Sequence, residues 1–281
     1  VFLGNKETSQ TMAWQGLEVF AQNNIQIQWP AYLGPLDAGI RQVIEGAVLS
    51  SVEKVESGQM GDAQSIHVNL GGGDAFEFRV GEDRVTPGDA RSDIYLHHAK
   101  RYTFARQFCD GKNVVDLGSG AGYGAKILKR DAARVVGVDL EPDAQRFGNR
   151  VFGDAGIRRL VGDIRAVGLK DDLFDVAVCF EAMEHVREHD DLLGEIRRLL
   201  KVDGTLVIST PNKKIYDLPA NANEYHVGML ELDEFQALLD RYYEDVTVYG
   251  QLRATADQPF YEAFGFRDGV DDGDEVFVAV C

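Results

Sequence analysis

Cysteine is scarce: Cys109, Cys179 and Cys281 are the only three in 281 residues. An odd number at wide spacing excludes a disulfide framework and a thiolate zinc site. Cys179 sits in an apolar run and reads as a buried small hydrophobe. A reducing cytoplasm is therefore the expected compartment. Proline is also sparse, at 7, and the 30 glycines follow no period, which excludes collagen-like and low-complexity chains. No apolar stretch approaches the roughly 18 residues of a membrane-crossing helix. Basic side chains are outnumbered, 29 Lys and Arg against 46 Asp and Glu, for a net charge of −17. They are scattered rather than clustered, so neither nucleic acid nor a membrane surface is an expected partner. The sequence opens at Val1 without an initiator Met or a charged-then-apolar leader, so missing upstream residues and no signal peptide are expected.

What is present divides in two by texture. Residues 1–88 form an N-terminal appended region, a small domain or lid, with a homo-oligomer contact as one expected use. Helical spacing is suggested at 17–20 and 39–49, and alternation at 65–70 and 75–80 predicts a β-hairpin around Gly71-Gly72-Gly73-Asp74. From residue 89 to 281, strand and helix patterns alternate. Strands are expected at 113–117, 134–139, 159–161, 174–180, 205–209, 246–249 and 276–280. Helices are expected at 92–109, 123–130, from Pro142, at 190–200 and at 232–243. That alternation predicts an α/β fold with a mostly parallel sheet and helices on both faces, the last two strands forming an antiparallel edge.

The first of these strands runs into Asp116-Leu117-Gly118-Ser119-Gly120-Ala121-Gly122-Tyr123-Gly124. Alternate glycines between strand and helix let a backbone approach a ligand closely. Gly120 to Ala125 also fits the dinucleotide pattern G-x-G-x-x-A. Asp116, expected at the mouth of the loop, disfavours a pyrophosphate and favours a cation such as S-adenosylmethionine. Asp139 ends the second strand, where a carboxylate can take both hydroxyls of a ribose. Asp163 follows the third, where it can accept from an adenine amino group.

The order and spacing of these segments resemble the class I S-adenosylmethionine-dependent methyltransferases over residues 92–250. The matching segments are 114–125, 136–139, Gly162-Asp163, 174–178 and 199–206. That resemblance implies a Rossmann-like seven-stranded sheet with one antiparallel strand. It also implies a cofactor set of Gly118, Ser119, Gly120 and Gly122 beside the methionyl part, Asp139 and Leu140 at the ribose, and Gly162, Asp163 and Ile164 at the adenine. Asp116, Phe180 and Glu181 complete the set. The run His98-Ala99-Lys100-Arg101-Tyr102 resembles a segment of one bacterial subgroup, in which Arg101 or Tyr102 reaches the cofactor carboxylate.

The fourth strand leads into Phe180-Glu181-Ala182-Met183-Glu184-His185. If that turn is helical, Glu181, Glu184 and His185 share one face. Two carboxylates and an imidazole suit a divalent cation such as Mg²⁺ or Mn²⁺, or a general base tuned by nearby charge. His226, after the next strand, adds a fourth ligand from across the cleft. The pattern is similar to the metal-binding set of small-RNA 2′-O-methyltransferases and to the E-x-x-E-H turn of ubiquinone-biosynthesis O-methyltransferases. Thr210-Pro211-Asn212 with Glu224-Tyr225-His226 resembles bacterial enzymes of polysaccharide and natural-product synthesis. The implied reaction is O-methylation of a sugar or other small-molecule acceptor, with His185 and His226 catalytic. Rival readings are N-methylation, a nicotinamide-dependent oxidoreductase or epimerase, and a non-catalytic scaffold. The absence of a Tyr-x-x-x-Lys unit counts against the oxidoreductase.

Overall fold

The computed structural model describes residues 65–69, 75–79, 92–218, 223–251 and 266–281. The expected helices at 17–20 and 39–49 and the loop at 71–74 lie outside them. Two compact units are present, one of residues 1–95 with 254–263 and one of residues 96–253 with 264–281. In the first, β1 (Ser65–Asn69) and β2 (Ala75–Arg79) pair antiparallel, as their alternation predicts.

The second unit is an α/β sheet with its helices packed against it. It takes up α1 (Ser92–Ala105) from residue 96, continued by a 3₁₀ turn at Arg106–Phe108. There follow β3 (Asn113–Leu117), α2 (Tyr123–Leu128), β4 (Arg134–Asp139), α3 (Pro142–Val151), β5 (Ile157–Val161) and β6 (Phe174–Cys179). After a 3₁₀ turn at Met183–His185 come α4 (His189–Leu199), β7 (Leu200–Pro211), α5 (Lys213–Tyr216) and α6 (Leu232–Leu239). The chain closes with β8 (Thr247–Gln251), β9 (Phe266–Asp268) and β10 (Val276–Val280).

The strand order is β5-β4-β3-β6-β7-β10-β8-β9, eight strands rather than the seven expected. The additional one is β9, three residues paired antiparallel to β8. β5 to β7 are parallel, while β10 runs antiparallel to both β7 and β8. β10 is thus inserted inside the sheet, and β9 rather than β10 forms that edge.

The local causes are ordinary. Pro142 stands at the first turn of α3, where its missing N–H costs nothing, and the Glu141 carboxylate accepts from the Asp143 N–H at 3.3 Å. α6 starts with a capping box between Glu231 and Glu234. Its inward face is Phe235, Leu238 and Leu239. Beyond the end of the helix at Leu239, Tyr243 is buried and Tyr242 packs half-buried against the same core. Leu192, Leu193, Ile196 and Leu199 of α4 join it, against β6 and β7. Burial of Val176 through Cys179 on both sides makes β6 a continuous apolar run. Among the described residues no helix is long and apolar enough to cross a membrane.

After β3 the chain builds outward through β4 and β5, then returns to place β6 on the other side of β3. The carboxyl ends of β3 and β6 therefore flank the reversal point of the sheet. Open α/β sheets bind ligands there, and both motifs singled out in the sequence fall at those two ends.

Candidate active site

The loop after β3 has a left-handed backbone at three alternate positions: Gly118 (φ +75°), Gly120 (+50°) and Gly122 (+82°). What surrounds each differs. A Cβ on Gly118 would stand 2.5 Å from that of Ala182, so the loop packs on the turn after β6. A Cβ on Gly122 would collide with the Arg159 guanidinium. A Cβ on Gly120 would meet nothing within 4 Å, so the loop opens at that residue. Asp139 lies beside the opening. Its Oδ2 accepts the Gly120 N–H at 2.7 Å, and its Oδ1 accepts the Glu141 N–H at 3.0 Å. Ser119 is buried, its hydroxyl accepting from Gln145 at 3.1 Å.

Leu140 and Val161, at the ends of β4 and β5, are 70% and 55% exposed. Gly162, Asp163 and Ile164 are half-buried next in sequence. The Asp163 carboxylate is gripped by Arg165 through Nε and Nη2, at 3.0 and 2.7 Å, and Arg165 also reaches Glu188 at 2.6 Å. Hydrogen bonding to Arg165 holds the Asp163 carboxyl below its usual range. An adenine amino group would share this carboxylate with Arg165.

Three expected cofactor contacts are placed differently. Asp116 is not at the mouth of the loop but fully buried beneath it, accepting from the Tyr102 hydroxyl at 3.1 Å. Burial pushes its carboxyl up to about 7, against the pull of the Tyr102 hydrogen bond and the Arg159 charge. Tyr102 itself is buried edge-on to Tyr123 and Phe180. Arg101 has no exposed surface: its Nη1 donates to Gln251 Oε1 at 2.6 Å, and Nη2 lies 3.8 Å from Glu181 Oε2. Arg101 and Tyr102 therefore stand behind the site, held by Glu181 and Asp116.

The expectation that Glu181, Glu184 and His185 share a helical face is corrected. Only Met183–His185 is helical, as a 3₁₀ turn, and Glu181 is left-handed at φ +47°. Its conformation is stapled by Ser209 at the end of β7. Ser209 Oγ accepts the Glu181 N–H at 3.2 Å and donates to Glu181 Oε1 at 2.7 Å. Glu181 thus turns toward Ser209 and Arg101, away from the other two.

Glu184, His185 and His226 do converge. One donor atom from each lies within 4.8 Å of the others, and among the described residues they form the group suited to a metal ion. The His185 and His226 rings are 5.1 Å apart, edge to face. Glu184 is 1% exposed, with Oε1 3.9 Å from His185 Nε2. His185 Nδ1 lies 3.1 Å from the Tyr225 carbonyl, an acceptor only, so the neutral ring carries its proton on Nδ1 and leaves Nε2 with a lone pair. The segment bearing His226 is drawn in by Gly228, whose N–H donates to the Glu184 carbonyl at 2.8 Å. A side chain at Gly228 would collide with the Val186 carbonyl.

Sequence reasoning missed Arg159, Ser209 and Gln251. Arg159 and Gln251 lie 37 and 150 residues from the partners they hold, and Ser209 lies 28 from Glu181. No local pattern marks them.

Residues 115–208 match the family model described as a methyltransferase domain. A probable S-adenosylmethionine-dependent methyltransferase of Mycolicibacterium smegmatis is 29% identical over 163 residues. That match covers 56% of this chain and 62% of the relative, so it spans less than two thirds of the latter. The ubiquinone biosynthesis O-methyltransferase of Actinobacillus pleuropneumoniae is 28% identical over 159 residues, covering 51% of this chain and 67% of that one. Among solved structures, a methyltransferase of Thermotoga maritima, titled a possible histamine N-methyltransferase, superposes with a TM-score of 0.51 at 18% identity. It covers 67% of this chain and 96% of its own, a likeness of fold. The second unit thus has the Rossmann-like methyltransferase fold, and residues 115–208 are similar in sequence to methyltransferase domains.

Proposed function

We propose that the protein is an S-adenosylmethionine-dependent methyltransferase that acts on a hydroxyl oxygen of a sugar or other small-molecule acceptor. The observation that carries this reading is the opening at Gly120, with the Asp139 carboxylate beside it at the reversal point of the sheet. The residues present fit the cofactor. Gly120 leaves space where a side chain would intrude. Asp139 supplies an acceptor for ribose hydroxyls, and exposed Leu140 and Val161 supply an apolar shelf for a purine. When bound, S-adenosylmethionine supplies a methyl group already activated by its sulfonium.

The protein's work is then to align the acceptor and take its proton. His185 Nε2, with Nδ1 tied to the Tyr225 carbonyl, is placed to receive the hydroxyl proton. The buried Glu184 carboxyl stands beside that nitrogen, with Oε1 3.9 Å from Nε2. The oxygen acceptor is supported by the ubiquinone O-methyltransferase relatives and by this proton-accepting cluster. The net charge of −17 favours a small neutral or cationic acceptor over a polyanion.

A second reading of the same cluster is favoured by its convergence. Glu184, His185 and His226 would hold one divalent cation, which supplies Lewis-acid stabilisation of an alkoxide. Two imidazoles and one carboxylate suit Mn²⁺ better than Mg²⁺, which prefers oxygen ligands. Glu181 is not part of this set.

The test uses methyl-labelled S-adenosylmethionine and a panel of sugars, phenols and amines. Label recovered in an alkali-stable ether supports oxygen transfer. Label recovered only in amines, or none with any acceptor despite tight cofactor binding, contradicts it.

A further inference from the structure

Asp116, Gly137 and Arg159 are register neighbours across β3, β4 and β5. Residues in one row of a parallel sheet point to the same face. The middle member has no side chain, so Arg159 lies flat over β4 and reaches the loop that follows β3. A Cβ at Gly137 would stand 2.9 Å from Ser119 Oγ and 3.7 Å from Arg159 Nη1. Beyond Gly137, the guanidinium enters a slot left by two more glycines. A Cβ on Gly148 of α3 would lie 2.8 Å from its Cζ, and one on Gly122 would collide with Nη1. There Nη2 donates to the Gly122 carbonyl at 3.3 Å, while Nε and Nη1 are buried without a hydrogen-bond partner. Gly122 is the left-handed cap of α2, so holding its carbonyl fixes the end of the glycine loop.

We propose that Arg159 is a positioning residue for the glycine loop, acting from beneath it through Gly122 and as the counter-charge of Asp116. This rests on the reading of that loop as the cofactor cradle. A guanidinium desolvated among glycines is costly unless a partner compensates it. Burial lowers the Arg159 pKa and the Asp116 charge opposes that. In the other direction, Arg159 is the cation that favours the carboxylate of Asp116. The groups facing Asp116 are the Tyr102 hydroxyl from α1, Arg159 from β5, Asp139 from β4, and the thiols of Cys109 and Cys179, which burial keeps protonated. The guanidinium pins the loop backbone through the Gly122 carbonyl, and Asp139 keeps a carboxylate beside the opening at Gly120.

The test compares wild type with Arg159→Met, which keeps the length and removes the charge. The titration of Asp116 is followed by carboxyl-carbon NMR in the unliganded protein. It moves up by about one pH unit in the variant, as for loss of a nearby opposite charge. Calorimetry with S-adenosylhomocysteine shows about tenfold weaker binding, as for loss of one hydrogen bond from a charged donor. If Arg159→Met does not fold, Arg159→Gln carries the same test, because it keeps an amide donor without the charge. An unmoved Asp116 titration in the folded variant overturns the inference. Failure of wild type itself to bind S-adenosylhomocysteine would instead overturn the cofactor reading, and the unliganded titration would still decide the role of Arg159.

Discussion

Replacing Asp116 with Asn should change how stability depends on pH. Asp116 is fully buried, with Oδ1 bonded to Tyr102 and Oδ2 without a partner, and its carboxyl is pushed from 3.8 up to about 7. Between those two values the native protein holds a proton that the unfolded chain releases. Stability from this group is therefore full below about pH 4 and is lost as pH rises through about 7. A shift of about three units, at ~1.4 kcal/mol each, sets the loss at about 4 kcal/mol by pH 8. Asn keeps the acceptor for Tyr102 and does not ionise. Its buried amide costs about 1–3 kcal/mol, a penalty that does not vary with pH. Urea denaturation of unliganded protein at intervals from pH 4.5 to 8 provides the assay. Wild type should lose stability relative to Asp116→Asn across that range, so the difference between the two curves grows by several kcal/mol. Parallel curves would refute the placement of an ionisable, desolvated carboxyl beneath the loop.

Other outcomes follow from the site. Gly120→Val puts a branched side chain where φ is +50° and into the open space of the loop, so S-adenosylhomocysteine binding should be abolished while circular dichroism stays native-like. Asp139→Ala removes both the ribose acceptor and the 2.7 Å bond to the Gly120 N–H, and calorimetry should show binding weakened by about 1.5–3 kcal/mol. If Glu184, His185 and His226 hold a cation, Mn²⁺ should bind stoichiometrically by electron paramagnetic resonance. Glu184→Gln should abolish that binding, whereas Glu181→Gln should leave it intact. Full turnover of metal-stripped protein in excess chelator would leave His185 as a metal-free base.

The parts legible in the sequence are those in which one local signal decides the outcome. β3 and β4 were expected at the bounds observed, because each is a short apolar run between turn residues, and Pro142 marked the start of α3 correctly. The glycine loop was legible because only glycine accepts three left-handed positions in five residues. The turn after β6 was not. Helical spacing placed Glu181 with Glu184 and His185, but a hydroxyl from β7 captures Glu181 at φ +47° before the 3₁₀ turn begins. Asp116 was expected at the mouth of the loop, because its neighbours in sequence do not reveal the Tyr102 hydroxyl that holds it in the interior. β9, three residues paired to β8, is too short for a periodic signal. Arg159 was invisible for a similar reason. Its significance comes from Gly137 in the next strand and Gly122 across the loop, a relation of register rather than of spacing.

The central claim is that the Gly118–Gly122 loop with Asp139 holds a sulfonium nucleotide rather than a pyrophosphate. Calorimetric titration of the purified protein with S-adenosylhomocysteine, and separately with NAD⁺ and NADP⁺, tests it directly. The account predicts one-to-one binding of S-adenosylhomocysteine, weakened in Asp139→Ala, and no measurable heat with either dinucleotide. Saturable binding of a nicotinamide dinucleotide with none of S-adenosylhomocysteine would contradict it.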